Sequence, residues 1–368
     1  MLEQSHYTIG CDAHKHYSMF AVLDEHGKMI TEIRVNHQPG AIHDFLSCFP
    51  EGTPVALESV GNWYWIVDEI EASGCVPLMA HAAKAKVMMG NIHKTDKLDA
   101  KGLATLQHLG SLPAVWIAPG ETRDQRELPR TRMVFSKMRT MLKNRMHSTL
   151  AKYALSLEDA SDIYAPKWRP ELLKLIRSLP EETRRCMEQE LELLDLIQDH
   201  IDRLEVRIHK RFQLTASMQL LKTLPGIAEI LAIVVDLEVG DIDRFPSPRH
   251  FASYAGTAPR VKGSGGKYRY GKMIKQSNHY LRWAFIEAAT TVSRCRKYPN
   301  WRGKYAVRLY ERIRRRKGHA TAVGAVARHL AESTYWVLKK REAYRPPEIR
   351  PSTKRKVPIS PKQGEARQ

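Results

Sequence analysis

Apolar positions in the first part of the chain come in short blocks of strand length, and in the remainder they recur at helical spacing. Residues 7–12, 17–23 and 29–35 read as strands. Asp24-Glu25-His26-Gly27-Lys28 joins the last two as a hairpin turn in which glycine supplies a positive φ. A helix over 40–48, a buried strand over 53–58, a helix over 62–73 and a strand over 76–80 follow. A Lys-rich loop then leads to a helix over 98–109. Residues 112–119 make a Pro-bounded link with a buried Trp116. From Thr122 a long basic helix carries Val134, Met138, Met141, Leu142, Met146 and Leu150 beneath Lys137, Arg139, Lys143 and Arg145, with Pro129 interrupting or kinking its start.

Residues 156–170 read as irregular. Between 181 and 212, Leu194, Ile197, Ile201, Leu204 and Ile208 alternate steps of three and four. That is a heptad seam, which suits either an antiparallel helical pair within one chain or a coiled coil between two chains. Leu221 to Ala228 reads as helix, Pro-Gly-Ile turn and second helix, a helix-hairpin-helix-like unit whose turn amides either hold a phosphate or simply join two helices. Residues 251–259 are a small-residue packing segment, 277–293 and 320–340 are helices with apolar faces, and the Pro-, Lys- and Arg-rich end from 346 is a disordered tail.

Three hairpin-connected strands followed by alternating helix and strand is the order of a ribonuclease-H-like α/β fold. In it the first and fourth strands are neighbours, so Asp12 and Glu58 end side by side. The expected organisation is an RNase H-like (RuvC-like) domain over 5–118 and a helical coiled-coil connector over 119–212. A mainly α domain over 213–342 and a basic tail over 343–368 complete it.

Charge sharpens this picture. The 368 residues hold 59 Lys and Arg against 40 Asp and Glu, a formal net charge of +19. The excess is clustered: 260–282 carries basic residues and no acid, and 294–317 carries Glu311 as its single acid. Such clusters fit a polyanion, because cations that displace counterions from phosphates supply most non-specific nucleic-acid affinity. Neither stretch has the long apolar face of a membrane-surface helix. Five scattered cysteines without CxxC spacing read as reduced, mostly buried thiols. With no signal peptide and no membrane-length apolar run, a cytoplasmic protein is expected.

Asp96 and Asp99, three residues apart at a helix start, share a face and repel each other unless a cation lies between them. Hard oxygen donors of this kind suit Mg²⁺ or Mn²⁺, and Lys94, Lys97 and Lys101 around them suit a polyanionic substrate. With Asp12 and Glu58 they make a candidate metal set. In Lys262-Gly263-Ser264-Gly265-Gly266-Lys267-Tyr268-Arg269-Tyr270-Gly271-Lys272, glycines flank a serine in a flexible basic loop able to approach phosphate closely. Ser264 has no legible Ser-His-Asp partners there, so a phosphate clamp competes with a nucleophile.

Taken in order, several stretches make residues 9–338 resemble one family. They are Gly10-Cys11-Asp12, Leu57-Glu58-Ser59-Val60-Gly61, Lys94-Thr95-Asp96-Lys97-Leu98-Asp99-Ala100, Leu224-Pro225-Gly226-Ile227, Tyr254-Ala255-Gly256, Ala258-Pro259, Ser264-Gly265-Gly266 and Asn278-His279-Tyr280-Leu281-Arg282. The family is the DEDD transposases of bacterial insertion sequences (insertion-sequence family one-hundred-ten), also called bridge-RNA-guided recombinases. The resemblance implies that Asp12, Glu58, Asp96 and Asp99 hold divalent metal and that Ser264 is a catalytic serine which becomes covalently joined to a DNA strand. It also implies a composite site shared between subunits of a homodimer or homotetramer, and a non-coding RNA that pairs with element and target DNA. Lys94, Lys97, Arg260, Lys262, Lys267, Arg269, Lys272 and Arg282 would then neutralise nucleic-acid strands. A structure-specific endonuclease hydrolysing DNA junctions, and a non-catalytic nucleic-acid-binding protein, are the competing readings.

Overall fold

The computed structural model describes residues 6–90, 96–265 and 267–347, and the chain divides into two compact units, residues 1–124 and 125–368.

The first unit is built on a six-stranded mixed sheet. Strands β1 (Thr8–Ala13), β2 (Tyr17–Leu23) and β3 (Met29–Asn36) form an antiparallel meander. Helix α1 (Ala41–Leu46) precedes β4 (Pro54–Glu58), α2 (Trp63–Ala72) precedes β5 (Val76–Ala80), and β1, β4 and β5 run parallel. Helices α3 (Ala82–Met89) and α4 (Asp96–His108) and the short antiparallel strand β6 (Ala114–Val115) finish an order of β3-β2-β1-β4-β5-β6. Side chains alternate across the sheet. Ile9, Cys11, Phe20, Val22, Val55 and Leu57 pack against Ile42, Leu46, Ile66 and Ile70 on one face, while Ala56 and Ala80 meet Ala85, Leu103 and Leu106 on the other. Helix α3 stands inside the expected Lys-rich loop. Only Ala85 of it is buried and Val87 and Met88 face water, so it left no amphipathic signature.

Small side chains let the second face close tightly. A Cβ on Gly10 would lie 2.0 Å from the Ala100 carbonyl oxygen and 2.6 Å from the Ala104 nitrogen, both backbone atoms of α4. Gly10→Ala should therefore push α4 off the sheet and cost about 1–3 kcal/mol, as overpacking does. A chemical-denaturation midpoint equal to that of the parent would show that the helix can yield at no cost.

The second unit is mainly helical. Helix α5 (Gly120–Lys152) continues through Pro129, where an interruption or a kink was expected. Its buried side is Leu142, Met146 and Leu150, whereas Val134, Met138 and Met141 are exposed. Helices α6 (Arg169–Arg177) and α7 (Glu181–Arg211) complete a core with it, through Leu172, Ile176, Met187, Leu191, Leu194, Ile197 and Ile201. Arg132–Glu205, Arg139–Gln198 and Arg145–Glu190 pair in descending order along α7, so α5 and α7 lie antiparallel. The heptad seam is thus covered within the chain.

Helices α8 (Ala216–Leu221), α9 (Glu229–Val239), α10 (Pro248–Tyr254), α11 (His279–Cys295), α12 (Pro299–Arg302) and α13 (Tyr305–Lys340) share the remaining core. Gly226 adopts φ +84°, and a Cβ there would stand 2.3 Å from the Ala288 carbonyl oxygen. With Leu224, Pro225 and Ile227 buried, the turn packs on α11 as an interhelix joint. Tyr344, expected in the free tail, is tied down: its N–H donates to Thr223 Oγ1 at 2.8 Å, and its hydroxyl lies 2.9 Å from His329 Nε2. The expected tail beyond residue 347 lies outside the described residues.

Candidate active site

Strand register and helix docking bring Asp12 and Asp96 into one cluster, and place Glu58 and Asp99 on the same side of the sheet outside its 4.8 Å set. Cys11 pairs with Leu57 across β1 and β4, and both point into the core. Asp12 and Glu58, one residue on, therefore share the opposite face at the carboxyl ends of neighbouring parallel strands, where α/β sheets commonly hold ligands. Helix α4 approaches that face at Gly10 and carries Asp96 and Asp99 in its first turn. Carboxylates are favoured there by the helix dipole.

Two residues that sequence reasoning passed over complete the cluster. His14 Nε2 lies 3.1 Å from Asp12 Oδ2 and 3.2 Å from Asp96 Oδ2. The Tyr17 hydroxyl donates to Asp96 Oδ2 at 2.7 Å, its ring stacks on His14 with centroids 4.7 Å apart, and the Arg34 guanidinium lies 3.9 Å over it. His14 stands two residues after Asp12, just past the end of β1, so the turn into β2 and not strand alternation delivers it.

Burial raises the Asp12 carboxyl above its ordinary range, and neighbouring Asp99 and Asp96 raise it further against the opposing pull of His14. Donor atoms of Asp12, His14 and Asp96 all lie within 4.8 Å of one another. Convergent carboxylate oxygens with one imidazole, destabilised by their own proximity, fit a divalent cation. Lys94 lies outside the described residues, as do the side chains of Lys97, Lys262 and Lys267.

The glycine-rich stretch, expected as a loop, is a hairpin of β7 (Pro259–Ser264) and β8 (Lys267–Met273). Ser264 pairs with Lys267, and Gly265 after Ser264 has φ +54°, the left-handed conformation a tight hairpin turn calls for. Ser264, Arg260, Arg269 and Lys272 are exposed, and Tyr268 is 70% exposed, open to a stacking partner. The Ser264 hydroxyl bonds to no described residue, whereas Ser277 accepts from Arg282. Arg282 differs from the other cations. It also donates to the Ile274 carbonyl and packs against Gly256, so its guanidinium braces the segment after β8 and does not face solvent freely.

The cysteines do not all follow the expected burial. Cys11 and Cys75 are buried and Cys295 is half-buried, but Cys48 and Cys186 are exposed, and all five are free thiols. Burial pushes the Cys11 thiol up to about 12, which keeps it protonated. No helix among the described residues is long and apolar enough to cross a membrane.

An acidic cluster able to take a divalent cation, in a chain with basic runs, has the chemistry to meet a phosphodiester backbone. Two family models match the chain. One of DEDD type, described as Transposase, covers residues 9–155, and one described as Transposase IS116/IS110/IS902 family covers residues 218–306. The chain is similar to a probable family 20 transposase of Pseudomonas aeruginosa, 26% identical over 92% of this chain and 98% of that one. It is also similar to the transposase for insertion sequence element IS1328 of Yersinia enterocolitica, 24% identical over 90% and 96%. A third relative is the transposase for insertion sequence element IS1111A of Coxiella burnetii, 27% identical over 69% of each chain. The chain belongs to the IS110 family of transposases, enzymes that cut and rejoin DNA.

Proposed function

We propose that this transposase moves insertion-sequence DNA by serine attack on phosphodiesters, with an RNase H-like, RuvC-like domain over about 5–118 supplying a divalent metal site. The strand order β3-β2-β1-β4-β5 and the parallel β1–β4 pair support that fold. Residues 119–212 serve as a helical connector and 213–342 as the domain bearing the serine. The observation that carries the reading is the close approach of α4 at Gly10, which brings Asp96 against Asp12 through a shared histidine.

Asp12, Glu58, Asp96 and Asp99, with His14, would hold Mg²⁺ or Mn²⁺, which when bound polarises a phosphodiester and stabilises charge on the leaving oxygen. The chain's own groups do the remaining work. Tyr17 fixes one Asp96 oxygen by donating to it, and His14 bridges the two aspartates. Ser264 presents an exposed hydroxyl at the hairpin tip. Its Oγ forms a bond to phosphorus as the phosphorus–deoxyribose oxygen bond breaks. The serine proton is released and the leaving oxygen takes one up. One phosphodiester replaces another, so rejoining needs no high-energy cofactor. Arg260, Arg269 and Lys272 neutralise the strand alongside Lys262 and Lys267. The reading extends to a non-coding guide RNA and to a homodimer or homotetramer, on the strength of the family resemblance.

Incubation with Mg²⁺ or Mn²⁺ and DNA carrying element ends, then denaturing electrophoresis, tests the serine. A denaturant-stable protein–DNA adduct should form, and Ser264→Ala should abolish it while Ser253→Ala and Ser277→Ala retain it. Free nicked product with no adduct in the wild-type protein would instead assign a water-using nuclease.

A further inference from the structure

The first arm of α13 departs from an ordinary core helix. Ala306, Val307 and Tyr310 anchor it, but every residue from 314 to 321 is exposed, and His319 is tied only back to Tyr310 of the same helix, its Nδ1 2.8 Å from the Tyr310 hydroxyl. This exposed stretch carries Arg314, Arg315, Arg316 and Lys317, and Arg312 stands just before it. Glu311, the acid of this run, is already held by Arg296 at 3.2 Å and Arg314 at 3.8 Å. Arg312, Arg315, Arg316 and Lys317 have no acidic partner among the described residues. Arg312 and Arg316 are like charges one turn apart, an arrangement that costs helix stability unless an anion lies against it.

The backbone adds a second, independent feature. Gly318 holds φ 81° and ψ 176°, a conformation open essentially to glycine, and bends α13 there. A Cβ on Gly318 would meet nothing within 4 Å, so backbone shape and not packing calls for glycine. Arg312, Ile313, Arg316 and Lys317 before the bend, with Thr321 and Ala325 beyond it, line one open cleft of about 380 Å³. A concave surface with three unpartnered cations and a hydroxyl has the chemistry to hold phosphodiester oxygens.

We infer that this cleft at the α13 bend, lined by no residue of the β7–β8 hairpin, is a duplex-DNA backbone-binding site serving to hold DNA without reading its sequence. The inference rests on the enzyme's action on DNA and adds where a duplex is gripped. Arginines that meet phosphates confer affinity and salt sensitivity but no base preference.

The test uses the full chain, chelator to prevent cleavage, and a fluorescent DNA duplex of arbitrary sequence, with binding followed by anisotropy over a salt series. Each phosphate that is no longer neutralised should reduce the slope of log affinity against log salt by about 0.9. The triple variant Arg312→Gln, Arg316→Gln, Lys317→Gln should therefore show a slope shallower by about two to three units, with a melting temperature no lower than that of wild type, since these side chains are exposed and a like-charge pair is relieved. A control removing the same charge elsewhere, Lys167→Gln, Lys174→Gln, Arg177→Gln, should keep the wild-type slope. Equal slopes for wild type and the α13 variant, or equal reductions in the variant and the control, would overturn the site. A reduction seen with RNA and absent with duplex DNA would overturn the ligand. Wild-type protein that binds no DNA at all would instead remove the premise that the enzyme grips DNA, so the two failures are distinguishable.

Discussion

Asp12→Asn is expected to abolish strand cutting while making the metal-free protein more heat-stable. The loss of activity should be on the order of 10²–10³-fold or more, the scale of removing one group that stabilises developing charge. The stability gain follows from the direction of the carboxyl's shift. Burial, Asp99 and Asp96 raise the folded-state pKa of Asp12 above its unfolded value. The ionised form is therefore disfavoured by folding. That penalty is absent well below the ordinary carboxylate range, sets in as pH rises through it, and is complete above the folded pKa. At neutral pH asparagine removes it. Divalent cation should reverse the ranking, because a ligand that binds only the folded state stabilises by about 2.7 kcal/mol at a hundredfold excess over its Kd. Melting curves with and without Mn²⁺ check this. An equal Mn²⁺-induced rise in both proteins would remove Asp12 from the metal's ligands.

The largest effect on stability is expected at Glu238, whose side chain is only 3% exposed. Arg130 clamps it with Nε donating to Oε1 at 2.7 Å and Nη2 to Oε2 at 3.1 Å, and Asn278 Nδ2 donates to Oε2 at 2.8 Å. Asn278 in turn caps α11, accepting from the Tyr280 and Leu281 N–H groups at 3.0 Å each. Arg126, also buried, donates to the Leu237 carbonyl at 2.9 and 2.6 Å. One carboxylate thus ties α5 to α9 and to the start of α11. Glu238→Ala takes the buried carboxylate from beside the buried Arg126 and leaves the half-buried Arg130 beside the exposed Glu127, and should cost about 3–5 kcal/mol, the penalty for breaking a buried ion pair from one side. Denaturant unfolding measures it. A loss below about 1 kcal/mol would mean that water replaces the carboxylate.

Much of the first unit was legible because its strands are short and bounded by turns. The expected strand over 17–23 and that over 76–80 match β2 and β5 end to end. Helix α3 was not, since a helix with one buried alanine carries no periodicity to read. On α5 the apolar count misled: Val134, Met138 and Met141 recur at helical spacing yet are exposed, because α7 covers the face of Leu142, Met146 and Leu150. The glycine-rich stretch read as a loop because its strand residues are interrupted by glycine. Its Gly-Gly pair was the hairpin signal, and two strands pairing with each other bury too little apolar surface to leave a pattern.

By itself the sequence determined the strand and helix types around the acids, the basic character of the second unit and the family to which the chain belongs. These are local or compositional properties, written in adjacent residues. Only the tertiary structure decided that His14 and Tyr17 join the acids, that Arg282 turns inward and that Glu238 is locked among arginines. Each of those depends on which backbone lies opposite, as the missing Cβ of Gly10 shows. Nothing near Gly10 in the chain announces that a helix some ninety positions later needs the space.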